Sequence, residues 1–237
     1  MMTLLEVAHV HTFYGDSHIL VDLSLEVAEG EVVCLLGRNG AGKSTTLKSI
    51  IGLAPPRAGR IRLRGQDLCG LAPFRIARLG IGYVPEDRRV FANLTVRENL
   101  EVARKTWGDR RSEPWTAERV FALFPRLQER RNQRAGFLSG GEQQMLTIAR
   151  TLMGSPEILL LDEPSEGLAP LVIEMLEEQL RRLKADGLTM VVTEQNVRFV
   201  SELGDRVYVL EMGAVRYAGA MSEFLRDDEV RRAYLAV

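Results

Sequence analysis

Cysteine, histidine and long apolar runs are all scarce in this chain, and each scarcity excludes something. The two cysteines, Cys34 in an apolar run and Cys69 in a loop-like stretch, have no paired spacing. That argues against a disulfide framework or a thiolate metal site and leaves both as reduced thiols. The three histidines, His9, His11 and His18, all lie near the N-terminus, so nothing downstream carries an imidazole. No apolar run approaches the roughly 20 residues that span a bilayer, and the opening MMTLLEVAHV lacks the layout of a signal peptide. The expectation is a cytoplasmic chain whose membrane work, if any, is done through partners. Charge of one sign is missing as well: 31 Lys+Arg against 32 Asp+Glu leave a net charge of −1 with no strongly basic block. Nucleic acid is therefore not expected as a partner.

The 237 residues suffice for one large domain, or a core with an inserted subdomain. Residues 31–51, EVVCLLGRNGAGKSTTLKSII, organise the rest. Residues 32–36 form a continuous apolar run, as in a strand buried on both faces of a parallel sheet. Gly37, Gly40 and Gly42 then permit positive φ, so that backbone N–H groups can turn inward as an anion cradle. Gly37, Arg38, Asn39, Gly40, Ala41, Gly42, Lys43 and Ser44, followed by Thr45, match the phosphate-binding pattern G-x-x-x-x-G-K-[ST]. In that pattern amides and a helix N-terminus hold phosphates, Lys43 reaches the β and γ phosphates, and the Ser44 hydroxyl ligates Mg²⁺.

Residues 4–11, 20–28 and 59–64 alternate enough to be strands of an antiparallel layer, with residues 14–17 as a turn. Tyr14 can stack on a purine or can be a turn tyrosine packed on a strand; the residues alone leave both open. A short helix over 72–79 leads to a strand over 81–84 that stops at Pro85. Thr95 and Glu98 form the capping box of a helix running to about residue 105. From there to Gly136 the segment is polar, Arg-rich and helix-compatible, with residues 107–115 as a loop. This strand-poor stretch predicts an inserted helical subdomain, in which residues 126–134, RLQERRNQR, read as a solvated face.

Ser139 and Glu142 in LSGGEQQ form a second capping box. Gly140 and Gly141 need another reason, since each costs about 1 kcal/mol in a helix relative to alanine. Something must approach that backbone closely, and an anion at a helix N-terminus is the natural candidate. Residues 157–161 predict another buried strand, ending in Asp162 and Glu163 at the sheet edge where ligands bind. Asp162 suits a Mg²⁺ shell through water, and Glu163 suits a base that orients the attacking water. Pro170 starts a helix with Leu171, Met175, Leu176, Leu180 and Leu183 on one face. A strand over 188–193 then leads to Gln195, and two short strands around Met212 and Gly213 precede a helical C-terminus.

GRNGAGKST, LSGGEQQ, ILLLDEPSEGL and TEQN, in that order, resemble the ATP-binding subunit of ABC transporters over essentially the whole chain. The resemblance implies an α/β fold: a phosphate-loop NTPase core with a mostly parallel sheet and helices over 1–86 and 154–237, an N-terminal antiparallel β layer, and a helical subdomain over 87–153 within one ATP-binding domain. It also implies a dimer with two sandwiched ATPs, in which Ser139, Gly140, Gly141 and Glu142 meet the nucleotide held by the other subunit. Tyr14 falls where the family stacks an aromatic on adenine.

Two departures narrow the match. Glu86 stands where most members have glutamine, and Gln195 where most have histidine. With EPSEGLAP and the ending VRRAYLAV, these make the chain similar to one of the two ATPase subunits of branched-chain amino acid importers, the F-type one, with urea importer subunits also similar. The resemblance implies ATP and Mg²⁺, the latter held by Ser44, Asp162 and Glu86. It also implies transmembrane permease subunits, a homologous second ATP-binding subunit with a homodimer still open, and a peripheral place on the inner face of the cell membrane. Gln195 can hydrogen-bond the γ-phosphate but has no proton to exchange near neutral pH. The expectation is hydrolysis driven by Glu163, with Lys43 and Gln195 assisting and no essential histidine. Phe91 and Leu94 are open between permease docking and core.

Overall fold

The computed structural model describes residues 2–104, 114–227, 229 and 232. Two sheets face each other across an apolar layer. The first runs antiparallel, in the order β2-β1-β4-β5, where β1 is Thr3–Tyr14, β2 Ser17–Ala28, β4 Ala58–Leu63 and β5 Gln66–Asp67. The second has six strands in the order β10-β9-β3-β8-β7-β6. These are β3 (Val32–Leu36), β6 (Ile81–Val84), β7 (Ile158–Asp162), β8 (Thr189–Glu194), β9 (Arg206–Glu211) and β10 (Ala214–Ala220). All neighbours in it are parallel except β10 with β9.

The unbroken apolar runs of β3 and β7 follow from their position, since every residue in β3, β7 and β8 is buried. Alternation along β3 divides it between two cores. Val33 and Leu35 face the first sheet, with Val7, Leu23 and Leu25, together with Leu47 and Ile50 of α1 (Lys43–Ile50). Val32, Cys34 and Leu36 face the other way, onto Leu146 and Ile148 of α6 (Gly140–Leu152) and Leu176, Leu180 and Leu183 of α7 (Pro170–Ala185). Burial of Cys34 pushes its thiol well above the usual range, an inert packing residue.

Between β6 and β7 the described residues hold helices and no strand: α3 (Val96–Ala103), α4 (Ala117–Leu123), α5 (Pro125–Glu129) and α6. Both predicted capping boxes are present, Thr95 with Glu98 on α3 and Ser139 with Glu142 on α6. The loop expected over 107–115 lies, up to residue 113, outside the described residues, as does residue 105; α3 ends at Ala103. Residues 126–134 are largely exposed, as expected of a solvated face, with Leu127 as the buried anchor.

One expectation is corrected, and one reading left open is narrowed. Leu171 is not on the buried face of α7 but 69% exposed; it lies in the first turn, where Val172 and Ile173 are the residues that pack, half-buried, against the core, and full burial begins at Leu176. Phe91 is not core either, being 48% exposed with the Arg150 guanidinium over its ring, and Leu94 is half-buried.

The loop carrying Phe91 is fixed by a buried side chain with no sequence signature. Asn99 of α3 accepts from the Phe91 N–H at 2.9 Å and donates to the carbonyls of Phe91, Leu94 and Thr95. Asn99→Ala would leave buried backbone groups unpaired, a cost of about 2 kcal/mol. Urea unfolding should show a lower midpoint with an unchanged slope.

Candidate active site

The register of the parallel sheet brings the predicted site together. Leu36 lies opposite Glu194, and Asp162 opposite Thr193, so the chain leaves β3, β7 and β8 at one edge. There Gly37, Gly40 and Gly42 adopt φ of 151°, 80° and 108°. Gly42 is the N-cap of α1 and offers no side-chain cap, and no acid lies in the first turn. The amino end of α1 is thus left open to an anion. Arg38, Asn39 and Gly40 are exposed at the rim, whereas Ala41, Gly42, Lys43 and Thr45 are buried and Ser44 is half-buried.

Lys43 folds back over this loop. Its Nζ donates to the Gly37 carbonyl at 2.8 Å and the Arg38 carbonyl at 3.2 Å, and pairs with Glu163 Oε1 at 2.9 Å. Glu163 is held from several sides. Its N–H donates to the Thr193 carbonyl and hydroxyl, its Oε2 accepts from Gln195 Nε2 at 3.0 Å, and its φ is 44°. The same Gln195 amide donates to Asn39 Oδ1 at 2.7 Å, tying the Glu163 carboxylate to the phosphate loop. Asp162 accepts from Tyr83 at 3.0 Å and Thr193 at 2.9 Å.

Glu86 is exposed on the wall of a cavity of about 420 Å³ that it shares with Asp162, Tyr83 and Lys48. Among the described residues no cluster of three or more His, Cys, Asp or Glu is placed to hold a metal. The oxygen donors of Ser44, Asp162 and Glu86 nonetheless fit Mg²⁺, which keeps several waters and takes few protein ligands beside phosphates.

Glu166 went unrecognised in the sequence. Its carboxyl is hydrogen-bonded to Glu163, and that bond, with burial and the charges of Glu163, Glu86 and Glu194, pushes it up to about 7. Burial would raise Glu163, but the hydrogen bonds from Glu166 and Lys43 outweigh it and hold this carboxyl below the usual range. A titrating group near neutrality is therefore present, and it is a carboxyl. Glu194, raised by burial, accepts from the Ser165, Gln195 and Asn196 N–H groups and braces the loops after β7 and β8. A short i,i+3 pair such as Glu163 and Glu166 is visible in sequence; the tight turn that makes them meet is not.

Ser139 and Glu142 sit apart from this cluster. Among the described residues they share no hydrogen bond or ion pair with Lys43 or Glu163. Glu142 closes the cap and pairs with Arg130 at 2.5 Å. The two glycines have protein neighbours: a Cβ on Gly141 would lie 2.5 Å from Val172, and one on Gly140 would lie 2.5 Å from Arg88 Nη1. What approaches this backbone here is a side chain on each: the branched Val172 side chain gives Gly141 a packing reason, whereas over Gly140 lies only the end of the flexible Arg88 side chain. Tyr14 ends β1 and is 48% exposed.

A phosphate loop at the carboxyl edge of a parallel sheet, facing acids from the neighbouring strand, defines a phosphate-loop nucleoside triphosphatase. The family model described as ABC transporter matches residues 20–166, and the chain belongs to that family, whose ATP-binding domain takes up nucleotide. It is 46% identical over 226 residues to the high-affinity branched-chain amino acid transport ATP-binding protein BraG of Pseudomonas aeruginosa, covering 95% of this chain and 97% of that one. It is 35% identical to a probable branched-chain amino acid transport ATP-binding protein, LivF, of Archaeoglobus fulgidus, covering 99% of each. A nucleotide-free ATP-binding cassette from an ABC transporter superposes with a TM-score of 0.83 at 26% identity, covering 97% of each chain.

Because the folded state raises Glu166, it binds more protons than the unfolded chain between the ordinary glutamate range and about pH 7. The stability this contributes is complete at low pH and is lost as pH rises through 7. The Tm of the wild type minus that of Glu166→Gln should therefore fall from pH 5 to pH 8. A constant difference would show that the two carboxyls do not share a proton.

Proposed function

We propose that this chain is the ATP-hydrolysing subunit that powers import of branched-chain or similar apolar amino acids. The observation that carries the reading is Glu163, a buried acid positioned at once by Lys43, Gln195 and the Thr193 carbonyl and hydroxyl. A pure nucleotide-binding clamp would need no such base. Lys43 and the amides of residues 37–45 bind the β and γ phosphates, Tyr14 stacks on adenine, and Gln195 donates to the γ-phosphate. Glu163 takes the proton of the attacking water. Ser44 and Asp162, with Glu86 across the cavity, would hold Mg²⁺, which supplies charge neutralisation on the phosphates.

Ser139, Gly140, Gly141 and Glu142 are read as meeting the nucleotide of a second ATP-binding subunit, a homologous chain or another copy of this one. Residues 87–153 are read as a helical subdomain on a core of 1–86 and 154–237. Beside it, exposed Leu53, Phe74 and Val102 line a cavity of about 670 Å³ with Tyr83 and Arg150. This apolar groove, next to Glu86, supports docking of the permease subunits. No helix among the described residues is long and apolar enough to cross a membrane, so membrane association would run through those permeases on the inner face of the cell membrane.

Glu163→Gln should bind Mg-ATP and convert from monomer to dimer in sedimentation, while the wild type hydrolyses ATP with a steep concentration dependence. A nucleotide-gated regulator would dimerise as wild type and turn over almost none. Loss of the ring in Tyr14→Ala should weaken ATP by about tenfold, since stacking a base on an aromatic is worth roughly 1–3 kcal/mol. Titration with a fluorescent ATP analogue, beside a triphosphate lacking the base, measures it.

A further inference from the structure

Arg88 is the residue whose placement the proposed chemistry does not use. Its backbone is left-handed, with φ of 43°, a conformation that residues other than glycine adopt at a cost unless their surroundings fix them. Its Nη2 donates to the Glu166 carbonyl at 2.6 Å. Its two nitrogens lie over glycines of two different elements: 2.5 Å from a Cβ built on Gly140 at the start of α6, and 3.3 Å from one built on Gly167. Alanine at Gly140 would displace the guanidinium, and alanine at Gly167 would crowd it.

Charge does not explain the location. The amino end of a helix disfavours a cation, and among the described residues no carboxylate forms an ion pair with Arg88. The contacts are mechanical instead. The Glu166 N–H donates to the Glu163 carbonyl at 3.2 Å, closing the turn that carries the base. One end of that turn is fastened to β8 through the Glu163 N–H and Thr193. Arg88 fastens the other end. Two residues before Arg88 lies exposed Glu86, and three after it lies Phe91, pinned by Asn99.

We propose that Arg88 is a positioning residue for hydrolysis: its guanidinium clamps the turn from Glu163 to Gly167 onto the first turn of α6, so that the segment from Glu86 to Phe91 governs where Glu163 points. The inference rests on the ATPase reading for its kinetic consequence but not for the clamp itself. A displacement of the 86–91 segment reaches the base through one side chain. Lysine, with a single compact ammonium, can satisfy the Glu166 carbonyl but cannot also cover both glycines.

The test uses the full chain as Arg88→Met and Arg88→Lys, read in two ways. Amide hydrogen exchange without nucleotide should rise about tenfold over residues 163–168 and 140–143 in Arg88→Met, with residues 37–50 unchanged. Turnover should fall about tenfold or more with the KM for ATP held within about twofold, because a small misplacement of the base costs rate and not phosphate binding. Arg88→Lys should recover part of both. Unchanged exchange in the two turns, a parallel shift of kcat and KM, or a lysine variant no better than methionine would overturn the proposal. A wild type that hydrolyses no ATP would sink the ATPase reading instead, and the exchange result would still decide the clamp.

Discussion

The structure depends on one buried ion pair, Lys43 with Glu163. The ammonium is 3% exposed and the carboxylate 8%. Two charges so far from water carry a desolvation cost of several kcal/mol each, which their attraction offsets only if the remaining donors and acceptors are also satisfied. Here they are. Two loop carbonyls complete the lysine, and Gln195 and Glu166 complete the glutamate. Each partner comes from a different segment: the loop after β3, the loop after β8, and the turn after β7. The pair therefore requires β3, β8 and β7 to lie side by side and end at one edge, and the strand order supplies that arrangement.

The same pair defines what nucleotide must change. Lys43 spends its donors on Gly37, Arg38 and Glu163, so a phosphate that takes the ammonium frees the carboxylate it now neutralises. Gln195 bridges Glu163 to Asn39 of the phosphate loop, so that carboxylate and the loop are coupled. An imidazole at position 195 would add a titrating group to this bridge; the amide keeps the connection and removes the titration.

What could be read from the sequence was what depends on neighbours in the chain. The buried strands, the left-handed glycines at 37, 40 and 42, and the capping boxes at Thr95 and Ser139 are set by runs of a few residues, and the structure has them. What could not be read depends on contacts made across the fold. Asn99 looks like an ordinary helix residue until the loop it holds, residues 91–95, is placed beside it. Leu171 fits the apolar period of α7, but the period cannot say where along the helix the core begins. The glycines of the LSGGEQQ stretch were rightly suspected of a close approach, yet Val172 and Arg88 come from segments some 30 and 50 residues away. Tyr83 on Asp162, and Thr193 on both acids, require the register of three strands.

Charge balance gives the site its last constraint. Glu86, Asp162, Glu163, Glu166 and Glu194 gather at this edge; among the described cations Lys43 is paired with Glu163, Lys48 lines the cavity beside Glu86 and Asp162, and Arg88 is engaged on a carbonyl. A triphosphate adds several more negative charges, and like charges a few ångströms apart in a poorly solvated site repel by several kcal/mol. The protein meets part of this excess in the resting state, since Glu166 keeps its proton up to about pH 7 and Glu194 is raised by burial. Lys43 cannot meet the rest, because one cation cannot neutralise both Glu163 and the γ-phosphate. On the function proposed above, a cation arriving with the nucleotide would meet the remainder, and the hard oxygen donors of Ser44, Asp162 and Glu86 are the chemistry that a divalent ion of Mg²⁺ type prefers. In this reading Glu86 brings a charge that glutamine would not. That charge is favourable only when the ion is bound, which makes the cavity between Glu86 and Asp162 sensitive to whether the nucleotide is accompanied by its metal.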